Sequence, residues 1–97
     1  MVEHASVVRI TRFQPAPGRR DELLRGLQEG ADGIRQMDGC FGAQICTVRD
    51  APDVIVAISR WASQAALDQF LESTRAQRAE LANLAAAPPA SEHLVAV

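Results

Sequence analysis

The sequence predicts an α+β domain in which a four-stranded antiparallel sheet carries its helices on one face. The length of 97 residues allows one domain, which we take to span residues 1–97. Four short runs have the β-branched composition or the two-residue alternation that is typical of strands. Between them, apolar residues recur three and four positions apart, which is the spacing of a helix face.

The first half of the chain predicts a strand, a helix and a second strand. Residues 7–13 are rich in β-branched side chains, and the prolines within 15–17 cannot continue a sheet ladder. Residues 19–37 predict a helix whose apolar stripe is formed by Leu23, Leu27, Gly30, Ile34 and Met37. Residues 41–48 predict the second strand, and the polar segment 49–53 predicts a hairpin connection.

The second half of the chain predicts the strongest strand and the remaining helices. Residues 54–61 are apolar on both faces until the end of the run, as expected for a strand that is covered on both sides. Ser63 is a good N-cap for a helix that starts at the next residue. A second helical run extends over 75–87 and is stopped by two prolines. Residues 91–97 alternate and predict the last strand.

The resulting order, β-α-β-β-α-(α)-β, is that of a ferredoxin-like fold. Its helices cover one face of the sheet, and nothing in the chain covers the other face. Because the third strand is apolar on both sides, the open face predicts a partner. The simplest partner is a second copy of the chain, which gives a homodimer with the two sheets packed against each other.

Composition excludes several classes of function. The net charge is −2, from 10 basic and 12 acidic residues, so there is no basic excess to bind nucleic acid. No apolar run reaches the roughly 18 to 20 residues that span a membrane, and the N-terminus lacks a secretory signal, which predicts a cytoplasmic protein. Cys40 and Cys46 fit no metal-ligand spacing and are interpreted as reduced thiols that act as small buried hydrophobes. No nucleotide-binding or hydrolase motif occurs.

Four segments and one serine stand at positions that can be compared with a known protein family. They are the turn at 17–22, the turn at 37–40, the hairpin at 49–53, the strand-to-helix corner at 61–67, and Ser73. Together they resemble the antibiotic biosynthesis monooxygenase-type family of dimeric α/β barrels. The resemblance covers nearly the whole chain. This family includes haem degraders and cofactor-free oxygenases that turn polyketide anthrones into quinones. The resemblance therefore implies a small aromatic ligand held between the sheet and the helices.

Trp61 carries the most information in this resemblance, because a tryptophan at this corner lines the pocket of family members. Its alternative role is a core anchor. In haem-degrading relatives an Asn and a His accompany it, and those positions fall at Thr11 and at Phe70 or its neighbour. Without the His ligand, no haem and no other cofactor is expected. The polar partners of the anthrone oxygenases fall at Ala57 and Leu67, neither of which can move a proton.

The candidate site was completed from strand alternation and helix spacing. Arg9 shares a face of the first strand with Thr11 and Phe13, and that face lies toward either the pocket or the dimer interface. An arginine in the pocket could hold an enolate or a carboxylate; in the alternative it forms an interfacial ion pair. The predicted catalytic residues are Trp61 and Arg9, and the predicted substrate-binding residues are Thr11, Phe13, Ser59, Phe70, Gln44 and Arg78.

Three functions are compatible with these residues. The leading hypothesis is a cofactor-independent monooxygenase that acts on an aromatic, polyketide- or quinol-like small molecule. The second is a non-catalytic dimer that binds a small ligand or regulates an enzyme. The third is a non-redox cyclase or isomerase, which would need a general base such as His93. His4 is a weaker candidate for the same role.

Overall fold

A computed structural model describes residues 6–97; His4 and its neighbours lie outside the described residues. The elements follow the order β-α-β-β-α-α-β, which confirms the predicted ferredoxin-like plan. The strands are β1 (Val7–Phe13), β2 (Cys40–Val48), β3 (Ala51–Trp61) and β4 (Ala90–Val95). The helices are α1 (Arg20–Ile34), α2 (Gln64–Ser73) and α3 (Arg75–Ala82).

The sheet has the strand order β2-β3-β1-β4, and all neighbouring strands are antiparallel. β1 and β3 occupy the centre, so the β-branched run and the most apolar run are the two inner strands. The β2–β3 hairpin is tighter than predicted, because β3 begins at Ala51 and not at residue 54. Its connection is therefore only Arg49 and Asp50.

The register decides which way the first strand faces. Val7, Arg9, Thr11 and Phe13 stand opposite Trp61, Ser59, Ala57 and Ile55 of β3, respectively. These pairs include the most buried residues of both strands, because the helices cover this side. Arg9 and Thr11 therefore lie on the helix face of the sheet and not on its open face.

The helix face holds two apolar clusters. The corner cluster, at the end of β3, consists of Val7, Trp61, Leu67 and Phe70. The α1 cluster, at the other end of β1, consists of Phe13, Leu23, Leu27 and Ile55. β1 contributes one residue to each cluster and spans the distance between them.

The open face of the sheet has no helix over it. Its centre is formed by side chains that the chain itself covers only in part, namely Val8, Ile10, Val56 and Ile58. Arg12 and Arg60 are exposed at its margins. An apolar centre with a charged margin is the pattern of a surface that associates with a partner.

Two helices end earlier than predicted. α1 ends at Ile34, and Ala31 takes the buried position that was predicted for Gly30, which is exposed. α3 ends at Ala82 and not at residue 87. Beyond it the backbone bonds to the loop after β1: the amide of Ala86 donates to the carbonyl oxygen of Gln14 at 2.7 Å. These tertiary bonds replace the helical bonds that alanine would otherwise favour.

The longest helix of residues 6–97 is α1, with 15 residues. No helix in this described part of the chain has the length and apolar character needed to cross a lipid bilayer.

Candidate functional site

The helix face becomes polar where β1 meets β4. All six residues of β4 are exposed, and its helix-side residues stand opposite β1: His93 opposite Arg9, and Ser91 opposite Thr11. The end of α2 and the start of α3 contribute further polar side chains beside them. We call this surface the polar edge; it comprises Arg9, Thr11, Ser91, His93, Thr74 and Arg78.

A hydroxyl network joins β1 to β4 across the polar edge. The Nη2 atom of Arg9 donates to Oγ of Ser91 at 3.1 Å, and the hydroxyls of Thr11 and Ser91 are 2.9 Å apart. Thr11 is 2% exposed, so its hydroxyl depends on this partner. The register that aligns the two strands therefore also builds this network.

Arg9 lies over an aromatic ring and is half-buried. Its guanidinium carbon is 5.9 Å from the ring centroid of Phe70, within the range of a cation–π contact. Its Nε atom is buried and has no hydrogen-bond partner. Burial, followed by the positive charge of Arg78, lowers the pKa of the Arg9 guanidinium from its usual value. Both causes oppose a positive charge, and an anion at this position would relieve both.

Arg78 is fixed against the end of α2. Its Nε donates to Oγ1 of Thr74 at 3.2 Å, and its Nη2 donates to the carbonyl oxygen of Leu71 at 2.6 Å. Thr74 in turn donates its hydroxyl to the carbonyl oxygen of Phe70 at 2.7 Å. The last carbonyl groups of a helix are acceptors without intrahelical partners, so the C-terminus of α2 holds this arginine in place.

Neither arginine has a carboxylate partner. Within residues 6–97, ion pairs form at Arg19, Arg20, Arg35 and Arg75. Arg9 and Arg78 are in none of them, although both are half-buried. The polar edge is thus a local excess of positive charge on a chain whose net charge is −2.

Trp61 lies beneath the polar edge and is sealed. It is 0% exposed, its ring stacks on Phe70 with centroids 4.9 Å apart and planes at 23°, and its Nε1 donates to Oγ of Ser59 at 2.9 Å. Ser63 fixes the corner by accepting the amide of Ala66 at 3.1 Å. Phe70 is itself 3% exposed, so a ligand on the polar edge meets Arg9 first and reaches the two stacked rings only if the corner cluster opens.

The structure brings together six of the residues that the sequence proposed for the site: Arg9, Thr11, Ser59, Trp61, Phe70 and Arg78. Phe13 is apart from them, because it belongs to the α1 cluster. Gln44 is also apart. It pairs with Ile58 on the open face and borders a surface groove of about 320 Å³ beside α1.

Ser91 and Thr74 are site residues that sequence reasoning missed. The alternation of the last strand already placed position 91 on the same face as His93. What was missing was the pairing of that strand with β1, which brings Ser91 to Thr11. Thr74 follows α2, and only the folded chain brings the side chain of Arg78 to its hydroxyl.

Ala57 and Leu67 leave no polar group at the two positions where the anthrone oxygenases have one. Ala57 packs against the α1 cluster, and Leu67 belongs to the corner cluster. In residues 6–97, no group of three or more His, Cys, Asp or Glu is arranged to hold a metal ion.

Comparison with known proteins agrees with this architecture. A sequence profile described as "Antibiotic biosynthesis monooxygenase" matches residues 6–80. This chain belongs to that family. Family membership supports a monooxygenase at the level of the family. A search of curated protein sequences found no significant match.

Solved structures from several organisms share the fold. Rv0793 from Mycobacterium tuberculosis is 29% identical with a TM-score of 0.86, and the match covers 94% of each chain. A Chloroflexus aurantiacus protein, named as a candidate antibiotic biosynthesis monooxygenase, is 28% identical with a TM-score of 0.75, covering 94% of this chain and 92% of that one. A conserved protein from Methanosarcina mazei has a TM-score of 0.87 at 14% identity, covering 96% and 95%, which shows the fold alone.

Proposed function

We propose that this family member is a cofactor-independent monooxygenase that oxidises an aromatic, polyketide- or quinol-like small molecule at the polar edge. One observation carries the proposal. Arg9 and His93 stand opposite each other on β1 and β4, beside the stacked rings of Phe70 and Trp61. A base and a fixed cation next to an apolar ring surface are the groups that such a reaction needs.

The reaction uses the electrons of the substrate itself. A ring CH₂ group and O₂ become a ring C=O group and water; one oxygen atom enters the product and the other leaves as water. The step that requires a protein group is removal of a proton from the CH₂ group or its enol. In our proposal His93 takes that proton, and Arg9 stabilises the resulting enolate oxygen.

The other side chains position the substrate. Thr11 and Ser91 present hydroxyls on the same face as Arg9 and orient the ring oxygens. Phe70 supplies the ring surface nearest to Arg9. Trp61 forms the wall behind it and contacts substrate once Phe70 has turned aside.

Oxygen uptake tests this function directly. The wild-type protein is mixed with anthrones and hydroquinones without added cofactor, and uptake is compared with the spontaneous rate. We expect His93→Gln to lower the enzymatic rate by about 10²-fold or more, as for loss of a general base. Arg75→Gln, an exposed change on α3, is the control and keeps the wild-type rate. Loss of uptake in Trp61→Phe would add that tryptophan to the reacting site.

The second candidate is a non-catalytic ligand-binding dimer. The complete burial of Trp61 and the apolar residues Ala57 and Leu67 favour it. A folded protein that binds these ligands but consumes no oxygen above the spontaneous rate would establish it in place of the oxygenase. Product formation without oxygen uptake would instead indicate a cyclase or isomerase that uses His93.

The open face is proposed as the interface of a homodimer, the state that is typical of this family. Val8, Ile10, Val56 and Ile58 form its apolar centre. Sedimentation at micromolar concentration should give a dimer for the wild type and a monomer for Ile58→Asp, because the change places a charge at that centre. Thr47→Asp, an exposed change on the helix side of β2, should remain dimeric. A wild-type monomer would remove the interface.

We also assign the protein to the cytoplasm. The free thiols of Cys40 and Cys46 are compatible with a compartment that keeps thiols reduced.

A further inference from the structure

Two half-buried arginines of the polar edge lack the partner that buried cations normally have. Three arginines of the described chain are half-buried: Arg9, Arg20 and Arg78. Arg20 pairs with Asp21 and Asp53, whereas the other two pair with no carboxylate in residues 6–97. Moving a cation out of water without a counter-charge is unfavourable, and here two such cations lie close enough for one to disfavour the charge of the other.

Their hydrogen-bonding capacity is also incomplete. A guanidinium carries five N–H donors in a planar fork. Arg9 uses its Nη2 atom on Ser91, and its buried Nε has no acceptor. Arg78 uses its Nε and Nη2 atoms on Thr74 and Leu71 at the end of α2, and within residues 6–97 its Nη1 atom has no side-chain partner. An orphaned buried donor lowers stability until an acceptor reaches it.

We infer that Arg9 and Arg78 form a subsite for the carboxylate of an aromatic acid. A carboxylate supplies two acceptor oxygens and one negative charge, and it matches the guanidinium fork. Phe70 contacts the guanidinium of Arg9 and is 3% exposed, so the ring of such an acid would lie against Phe70 only once the corner cluster opens. The exposed hydroxyl of Ser91 would hold a further oxygen, and Thr11 would keep that hydroxyl in place. The carboxylate subsite deepens the proposed function. It rests on that function in one respect only, namely that the bound acid is the substrate.

Calorimetric titration with a matched pair of ligands tests the subsite. The probes are 2-naphthoate and 2-naphthalenemethanol, which share a ring system and differ in the carboxylate. We expect wild-type protein to bind the acid at least about tenfold more tightly than the alcohol, as for a charge-assisted contact. Arg9→Gln and Arg78→Gln should each remove most of that preference while leaving the affinity for the alcohol within about twofold.

Arg75→Gln is the matched control, because it removes the same charge three residues before Arg78 and from an exposed position. It should keep the preference for the acid. Equal binding of the two probes, binding of neither, or an equal loss of preference in Arg75→Gln would each overturn the subsite. The NMR cross-peak of the Arg9 Nε–H group should shift when 2-naphthoate is added. Such a shift would support the subsite independently of the variants.

The two proposals fail in different ways. Preference for the acid without oxygen uptake by any substrate leaves the subsite and removes the oxygenase. Oxygen uptake with neutral quinols, together with equal binding of the two probes, leaves the oxygenase and removes the subsite.

Discussion

Two regions on the same face of the sheet contrast in chemistry, although one strand passes through both. At the α1 cluster, Phe13, Leu23, Leu27 and Ile55 exclude water and contain no polar side chain. Four residues back along β1, Arg9 lies at an exposed rim with an unsatisfied donor. The first region stabilises the fold, and the second holds groups that burial disfavours. The contrast shows that the apolar core and the candidate site are separated by only four residues along β1, from Phe13 to Arg9.

The largest effect is expected in the α1 cluster. Leu23 is 0% exposed, and Leu23→Ala should lower the free energy of unfolding by about 2–5 kcal/mol, because it leaves a cavity. Denaturant unfolding measures the loss. Titration of the folded variant should still show the preference for 2-naphthoate over 2-naphthalenemethanol. If that preference disappears while the protein is folded, the two regions are coupled and the contrast breaks down.

A smaller effect is expected beneath the polar edge. Ser59→Ala removes the acceptor of the Trp61 indole N–H and leaves a buried donor unsatisfied, which costs about 1–3 kcal/mol. Thr47→Ala is the control on the same side of the sheet, where the side chain is exposed, and should change stability by less than about 0.5 kcal/mol. Equal losses in the two variants would show that the indole bond contributes nothing.

The smallest effect has the opposite sign. Arg9→Met keeps the apolar length of the side chain and removes a half-buried cation that has no carboxylate partner within residues 6–97. We expect unfolding free energy to stay equal or to rise by up to about 1 kcal/mol. Thermal unfolding of the ligand-free protein measures it, with Arg12→Met on the exposed side of β1 as the control. A clear loss of stability would mean that Arg9 is mainly structural.

The fold was predictable where local signals agreed. β1 has the predicted bounds because its β-branched residues end at a proline-rich turn, and α2 starts where Ser63 caps it. α3 was predicted too long because residues 83–87 are rich in alanine. Their backbone bonds to residues near Pro15 instead, and a contact across about 70 positions is not visible in a helical pattern.

The arrangement of the candidate site was less predictable than the fold. Resemblance and alternation pointed to Trp61 and Arg9, but neither could show that Trp61 is sealed behind Phe70. The direction of Arg9 depended on which side the helices cover, which only the assembled sheet defines. Gln44 has the right chemistry for binding, yet the β2–β3 register turns it to the open face.

The strand β4 is exposed along its whole length and belongs to neither apolar cluster. Every residue of both clusters precedes Ala82 in the chain. Segments with few buried apolar contacts open locally more often than the core, so the backbone amides of β4 should exchange with solvent sooner than those of β1 and β3. Ser91 and His93 lie on this strand, opposite Thr11 and Arg9. The polar edge is therefore completed by the strand that opens most easily, while the apolar clusters beneath it stay closed.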